Sequence, residues 1–173
     1  DYHGDPQAER VVVVMGSGAE TVRSAVDHLV AQGEKVGMVQ VRLYRPFDVD
    51  RFLGALPHSV ERIAVLDRTK EPGAIAEPLC LDVIAARRDA AAGGRRQPRI
   101  VGGRYGLSGK EFPPAMALSV FAMLDDEAPR HGFTVGIVDD VLGRSLSWDA
   151  GFELPRDGRT EAVFFGLGAD GTV

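Results

Sequence analysis

Short apolar runs alternate along the chain with longer segments that carry apolar residues every three or four positions. The apolar runs cover residues 11–15, 36–43, 63–66, 100–101 and 133–138. Runs that break off into glycine, proline or charged residues in this way are typical of strands buried on both faces of a parallel sheet. The pattern therefore predicts five strands.

Four helices are predicted between these strands. The first has its apolar positions on one face over residues 22–30, and Gly33 is placed to end it in left-handed backbone. Asp48 is the expected N-cap of a short second helix. The third helix is expected over roughly residues 75–92. The Ser108-Gly-Lys-Glu111 pattern resembles a capping box and predicts that a fourth helix begins there.

Strands that alternate with helices predict an α/β fold with a three-layer arrangement, in which a mostly parallel five-stranded sheet carries helices on both faces. This domain is expected over residues 9–145, after a polar tail at residues 1–8. A connector is expected over residues 146–160. Residues 161–173 then read as the first strand and glycine-rich loop of a following domain, so we expect the chain to be part of a longer protein.

Composition excludes several classes of function. A formal net charge of −5 over 173 residues does not supply the basic surface that nucleic acid requires. No apolar run approaches the about 20 residues that cross a bilayer, and the first residues lack the features of a signal peptide. Cys80 is the single cysteine, and no cysteine or histidine cluster has metal-ligand spacing. We therefore expect a cytoplasmic protein without nucleic-acid, membrane or metal sites.

The segment Gly16-Ser-Gly-Ala-Glu-Thr21 follows a predicted strand and opens a helix, as a dinucleotide-binding fingerprint does. It departs from that fingerprint because Thr21 replaces the third glycine. Arg42 and Arg45 also stand in the region where a ribose-binding acid is expected. A tight strand-to-helix turn is the favoured interpretation, and an anion at the helix N-terminus is the alternative.

Charged and aromatic residues collect just after the predicted strands. Arginine and tyrosine are enriched in protein interfaces, so contacts with another domain are the favoured interpretation, and binding of an anionic ligand is the alternative. The candidate residues are Arg42, Tyr44, Arg45, Arg68, Lys70, Arg104, Tyr105 and Lys110.

Candidates for catalysis are few. Asp139 and Asp140 could serve as paired carboxylates, although solvated or capping roles are favoured. No nucleophile elbow of the G-x-S-x-G type is present. The four histidines lie in a tail, on a helix or in turns, away from a serine or cysteine in a nucleophile setting: His3, His28, His58 and His131. No catalytic residue is assigned.

Taken together, these motifs resemble one family, the pyruvate:ferredoxin (flavodoxin) oxidoreductases. The matching segments occur in the family's order: VVVVMGSGAETV, GEKVGMVQVRLYRPF, IAVLDRTKEPGAIAEPLCLDV, IVGGRYGLSGKEF, FTVGIVDDV and FFGLGADGTV. The resemblance implies that residues 9–145 form the family's second domain, which is similar to the C-terminal domain of transketolase. It implies that the tail from about residue 160 opens a domain similar to the gamma subunit of multi-subunit relatives.

For the whole enzyme, the resemblance implies conversion of pyruvate and coenzyme A into acetyl-CoA, carbon dioxide and reduced ferredoxin or flavodoxin. Thiamine diphosphate, magnesium and iron–sulfur clusters would be held by other domains of a homodimer, so no cofactor is expected in this chain. The glycine-rich loop would lie near coenzyme A, through Gly168, Asp170, Gly171 and Thr172.

The expected role is a non-catalytic, interdomain one. Two alternatives stay open, a free-standing module that binds coenzyme A or phosphate and an independent nucleotide-dependent enzyme.

Overall fold

The computed structural model describes residues 1–91, 97–138, 141–155 and 162–163. Within these residues the strands are β1 (Tyr2–Gly4), β2 (Arg10–Met15), β3 (Val36–Val41), β4 (Arg62–Asp67), β5 (Arg99–Tyr105), β6 (Phe133–Val135) and β7 (Ser145–Leu146). The α-helices are α1 (Gly18–Ala31), α2 (Val49–Ala55), α3 (Pro78–Ala91) and α4 (Pro114–Asp125).

All these strands form one sheet in the order β1-β3-β2-β4-β5-β6-β7. Neighbouring strands run parallel, except that β1 pairs antiparallel with β3. Side chains along a strand alternate between its faces, so Val12 and Val14 of β2 join one apolar cluster with α1 and α4. Val11 and Val13 join another with α2 and α3. The three-layer α/β prediction is confirmed, and burial on both faces explains the unbroken apolar runs.

The strand count differs from the predicted five because two short strands join the sheet. Part of the polar tail predicted at residues 1–8 belongs to the sheet, since β1 lies along β3. Gly37 makes this possible: a Cβ atom there would lie 2.2 Å from the Tyr2 hydroxyl. Strand β7 pairs with β6 where the prediction changed from domain to connector. Neither segment has an apolar run, so pairing with a neighbour, rather than local pattern, makes each a strand.

The structure confirms some of the predicted helix boundaries and corrects another. Asp48 caps α2 as expected, its Oδ1 accepting the Arg51 N–H at 3.0 Å, and Gly33 has the predicted left-handed φ of +85°. The fourth helix does not begin at Ser108, which is itself left-handed at φ +57°; it begins at Pro114. A residue before proline is pushed away from helical backbone, so Pro113 and Pro114 delay the helix.

Two arginines at the amino ends of the strands hold the C-terminal end of α4. Arg62 donates to the Leu124 carbonyl at 2.6 Å, and Arg10 donates to the Phe121 carbonyl at 3.3 Å. The last carbonyls of a helix lack partners within the helix, and cations are favoured there. The amino edge of the sheet therefore anchors a helix, and the predicted site residues lie at the opposite edge.

Candidate functional site

Strands β2 to β6 are parallel and end at one edge of the sheet, which we call the carboxyl edge. Every predicted site residue within the described part of the chain follows or ends one of these strands. The structure separates them into groups with different surroundings. In open α/β sheets ligands bind at this edge, so each group was a reasonable candidate.

Three of the predicted cations lie around one cavity of about 370 Å³, which we call the cation cavity. They are Lys70 after β4, Arg104 on β5, and Lys110 after β5. Lys70 is far in sequence from Arg104 and Lys110, and the parallel pairing of β4 with β5 brings the three together. The remaining lining residues are hydroxyl-bearing or apolar: Leu107, Ser108, Thr134, Ile137, Val141 and Leu142.

Arg104 is held by a carboxylate that the sequence did not single out. Its Nη1 lies 3.0 Å from Glu77 Oε1, and Glu77 Oε2 accepts the Glu71 N–H at 2.7 Å. Glu77 is buried, with 7% of its surface exposed. A buried carboxylate with two donors is a fixed anchor, so it orients the Arg104 side chain at the cavity wall.

Asp67, at the end of β4, is fully buried and serves the start of α3. Its two carboxylate oxygens accept the N–H groups of Leu79 and Cys80 at 3.1 and 3.2 Å. These N–H groups have no partner within the helix, so Asp67 explains why α3 begins at Pro78 and not at the predicted residue 75. Burial raises the pKa of the Asp67 carboxyl, and the two N–H donors offset part of that rise.

Replacing Asp67 should change how stability depends on pH. The pKa of Asp67 is raised in the folded state, so protonation of its carboxyl stabilises the fold. That contribution to stability is complete below the unfolded pKa of about 3.9 and is lost as pH rises through the folded pKa. We expect the difference in unfolding free energy, wild type minus Asp67→Asn, to shrink as pH rises from about 4. Denaturant titrations across this range measure it, and a difference that grows with pH contradicts it. Asp48→Asn, at the exposed cap of α2, is the matched control.

Arg68 and Tyr105 are used inside the domain. Arg68 Nε donates to the Gly106 carbonyl at 2.9 Å. Tyr105 is almost fully buried, donates its hydroxyl to the Met15 carbonyl at 3.3 Å, and burial raises its pKa. A Cβ atom at Gly18 would lie 2.5 Å from that hydroxyl. Gly18 is thus required by packing of Tyr105, which supports the tight-turn interpretation of the glycine segment over a nucleotide fingerprint.

The predicted residues after β3 form two separate contacts. Arg42 Nε lies 2.5 Å from Asp1 Oδ2, beside a groove of about 710 Å³ between β3 and α2. Arg45 packs its guanidinium 3.8 Å from the Tyr44 ring centroid and pairs with Asp82 of α3 at 2.8 Å. Neither contact joins the cation cavity. The interdomain role predicted for these residues stays a prediction.

The cofactors expected of the whole enzyme require protein ligands such as thiolates and carboxylates. Iron–sulfur clusters need several thiolates, and Cys80 is the single cysteine of the chain. It is buried, and burial raises the pKa of its thiol to about 12. Among the described residues no three His, Cys, Asp or Glu side chains are placed to hold a metal ion. A single cysteine therefore cannot supply the ligands of an iron–sulfur cluster by itself.

Some of the predicted site residues are not among the described residues. The coenzyme A contacts expected at Gly168, Asp170, Gly171 and Thr172, and the carboxylates Asp139 and Asp140, lie outside the described residues. Over the part that is described, no helix is long and apolar enough to cross a bilayer.

A second feature of the carboxyl edge was missed from the sequence. Large apolar side chains are exposed in loops that leave the ends of β3, β4 and β6: Leu43, Ile75, Val138, Val141 and Leu142. Ile75 is 89% exposed and Val141 is 99% exposed. Their apolar character in charged loops was the available signal. Ile75 was instead placed inside the third helix, where an apolar residue needs no further explanation.

A parallel sheet of this order, covered by helices on both faces and with its charged loops at one edge, is a doubly wound α/β domain. The sequence profile of pyruvate:ferredoxin oxidoreductase core domain II matches residues 8–115, and the chain belongs to that family. The resemblance drawn from the sequence motifs is thereby confirmed.

Relatives with similar sequences are much longer than this chain. The chain is 60% identical to the pyruvate-flavodoxin oxidoreductase of Rhodospirillum rubrum, covering 100% of this chain and 15% of that protein. It is 54% identical to the probable pyruvate-flavodoxin oxidoreductase of Escherichia coli, with coverage of 100% and 15%. It is 50% identical to the pyruvate:ferredoxin oxidoreductase of Moorella thermoacetica, with coverage of 100% and 14%. The chain thus spans about 15% of the length of these relatives.

Among solved structures, a 2-oxoglutarate:ferredoxin oxidoreductase from Magnetococcus marinus is 18% identical with a TM-score of 0.46. That match covers 70% of this chain and 19% of the other. Similarity at this level does not bear on the site.

Proposed function

We propose that this chain is a non-catalytic, interdomain module of a thiamine diphosphate-dependent pyruvate:ferredoxin or flavodoxin oxidoreductase. The whole enzyme, a homodimer, would convert pyruvate and coenzyme A into acetyl-CoA, carbon dioxide and reduced ferredoxin or flavodoxin. The names of relatives that are 50–60% identical support the substrate and the electron acceptors. Bound thiamine diphosphate and iron–sulfur clusters would supply decarboxylation and electron transfer outside the residues described here.

The observation that carries the interdomain role is the apolar surface of the carboxyl edge. Ile75, Val138 and Val141 are each at least 85% exposed. Ile75 follows the end of β4, and the two valines follow the end of β6. Ile75 also lines one pocket with Leu142, and exposed apolar side chains that lie close together mark interaction surfaces, since each loses contact with water when a partner covers it. A neighbouring domain of the same polypeptide is the partner that fits a chain matching about 15% of its relatives.

The titratable groups at the same edge support a non-catalytic role. Asp67 caps α3, Glu77 anchors Arg104, and Tyr105 packs over the start of α1. Each of these polar groups already has a structural partner, and the raised pKa of Cys80 disfavours its nucleophilic thiolate. These groups therefore stabilise the fold at this edge.

Charged substitutions on the apolar surface should impair assembly of the full-length enzyme. We expect the double variant Ile75→Asp, Val141→Asp to shift the enzyme towards dissociated or aggregated species, because two charges would be buried at the interface. Size-exclusion chromatography with light scattering measures the shift, and steady-state kinetics of the remaining intact enzyme should show a near-normal KM for pyruvate.

The matched control is Ile84→Asp on the outer face of α3, where the isoleucine is 38% exposed. It should leave assembly unchanged. An intact double variant with reduced turnover would contradict the interdomain role and indicate that the edge takes part in catalysis.

A further inference from the structure

The groove between β3 and α2 is an open, largely apolar space of about 710 Å³. The apolar residues of its lining are Val39, Val41, Leu43, Phe47, Phe52 and Ala55. The rings of Phe47 and Phe52 lie 5.4 Å apart, and Leu43 is 68% exposed. Apolar surface is stabilised when another apolar group covers it, so the groove is suited to a large apolar side chain.

The pairing of β1 with β3 stops at the mouth of this groove. The Gln40 N–H donates to the Asp1 carbonyl at 2.8 Å, and the Asp1 amino group donates to the Gln40 carbonyl at 3.0 Å. β3 continues to Val41, which pairs with β2 on its other side. Among the described residues, no strand pairs with β3 on the β1 side beyond Gln40. Asp1 itself lines the groove.

The register of this ladder determines what an extension of β1 would meet. Because the two strands are antiparallel, residues that precede Asp1 would run alongside Val41 and Arg42. The residue directly before Asp1 would lie opposite Val41, and opposite residues of paired strands share a face of the sheet. Val41 packs with the apolar cluster on the face that α2 covers. The side chain of that preceding residue would therefore enter the groove.

The surroundings of the Asp1 amino group favour a peptide bond over a charged amine. Burial lowers the pKa of this amine, and the cations Arg42, Arg51 and Arg23 lower it further. A positive charge at this point is thus opposed by loss of water and by like charges. A peptide N–H carries no net charge and makes the same hydrogen bond to the Gln40 carbonyl, so continuation of the chain removes the conflict.

We propose that, in the full-length enzyme, the residues preceding Asp1 extend β1 along β3 and place a large apolar side chain in the groove, against Phe47 and Phe52. This chain spans about 15% of the length of its relatives, so polypeptide outside it is available as the occupant. The segment joined to Asp1 is favoured over a separate partner because its attachment holds it at a high effective concentration beside the groove.

The proposal goes beyond the interdomain role and does not depend on it. The lining of the groove does not include Ile75 or Val141, on which the interdomain role rests. Occupation of the groove and assembly of the enzyme are separate measurements, so the two proposals can fail independently.

Site-specific photo-cross-linking in the full-length enzyme tests the proposal. Gly54 of α2 lines the groove, and a Cβ atom there meets no atom within 4 Å, so the photoreactive residue p-benzoylphenylalanine can replace it without a clash at Cβ. After irradiation, mass spectrometry should identify a cross-link between position 54 and the segment directly before Asp1. The matched control places the same photoreactive residue at Ala122, which is exposed on α4 at the other face of the sheet. It should form no cross-link to that segment.

Amide hydrogen exchange gives a second measurement. Every second residue of an antiparallel ladder directs its N–H to the same side, so Arg42 is the next residue after Gln40 whose N–H faces the extension. We expect this N–H to exchange at least about tenfold more slowly in the full-length enzyme than in the 173-residue chain. Equal rates would overturn the proposal. A cross-link from position 54 to a different part of the enzyme or to a second subunit, or no cross-link at all, would overturn it as well.

Discussion

Gly103→Val should prevent the chain from folding stably, with a loss of about 3 kcal/mol or more in the free energy of unfolding. Gly103 lies in β5 beside β6, and a Cβ atom there would lie 2.2 Å from the Phe133 ring. Phe133 is fully buried in the cluster beneath α4, so the ring has no room to move away. Urea denaturation followed by circular dichroism measures the loss.

Gly54→Ala is the control for this substitution. Gly54 lies in α2, and a Cβ atom there meets no atom within 4 Å. Alanine is favoured over glycine in a helix, so the change should raise stability by up to about 1 kcal/mol. If Gly103→Val unfolds with the midpoint and slope of wild type, the close approach of β5 to Phe133 is not a constraint on the fold.

Arg104→Ala should be the most damaging of the arginine substitutions at the carboxyl edge, at about 2–4 kcal/mol. Its removal leaves Glu77 as a buried carboxylate without its cation. By contrast, the pair between Arg45 and Asp82 is solvent-exposed, and Arg45→Ala should cost much less stability. Chemical denaturation of both variants at neutral pH gives the comparison.

A double-mutant cycle isolates the contribution of charge. Glu77→Gln keeps an acceptor for the Glu71 N–H but removes the negative charge. In that background Arg104→Ala should cost at least about 1 kcal/mol less than in wild type, because no charge is left unpaired. Equal costs in the two backgrounds would show that Arg104 stabilises the chain through packing of its aliphatic part.

The central sheet was predictable because burial on both faces leaves a strong local signal. Residues 11–14 are four consecutive valines, which a helix period cannot explain and which feed both apolar clusters. The caps at Asp48 and Gly33 were predictable for a similar reason, because each depends on its own side chain and backbone. Such features require no knowledge of distant residues.

What could not be predicted depends on contacts between distant parts of the chain. Strand β1 forms because Tyr2 fits over Gly37, and nothing near Tyr2 in sequence indicates this. The cation cavity exists because β4 and β5 are adjacent, which places Lys70 beside Arg104. Individual cations were identified from the sequence, but their division into a shared cavity and two separate ion pairs was not.

The short outer strands have a consequence for how this domain meets other molecules. β1 has three residues and β7 has two, so each end of the sheet offers only a few backbone N–H and C=O groups to an added strand. Long free edges are templates for aggregation through backbone pairing, which depends little on side chains. Among the described residues, the two outer strands offer only a short template of this kind. Recognition is left to side chains at the carboxyl edge, where single substitutions can tune the strength of an association without creating a fibre-forming surface.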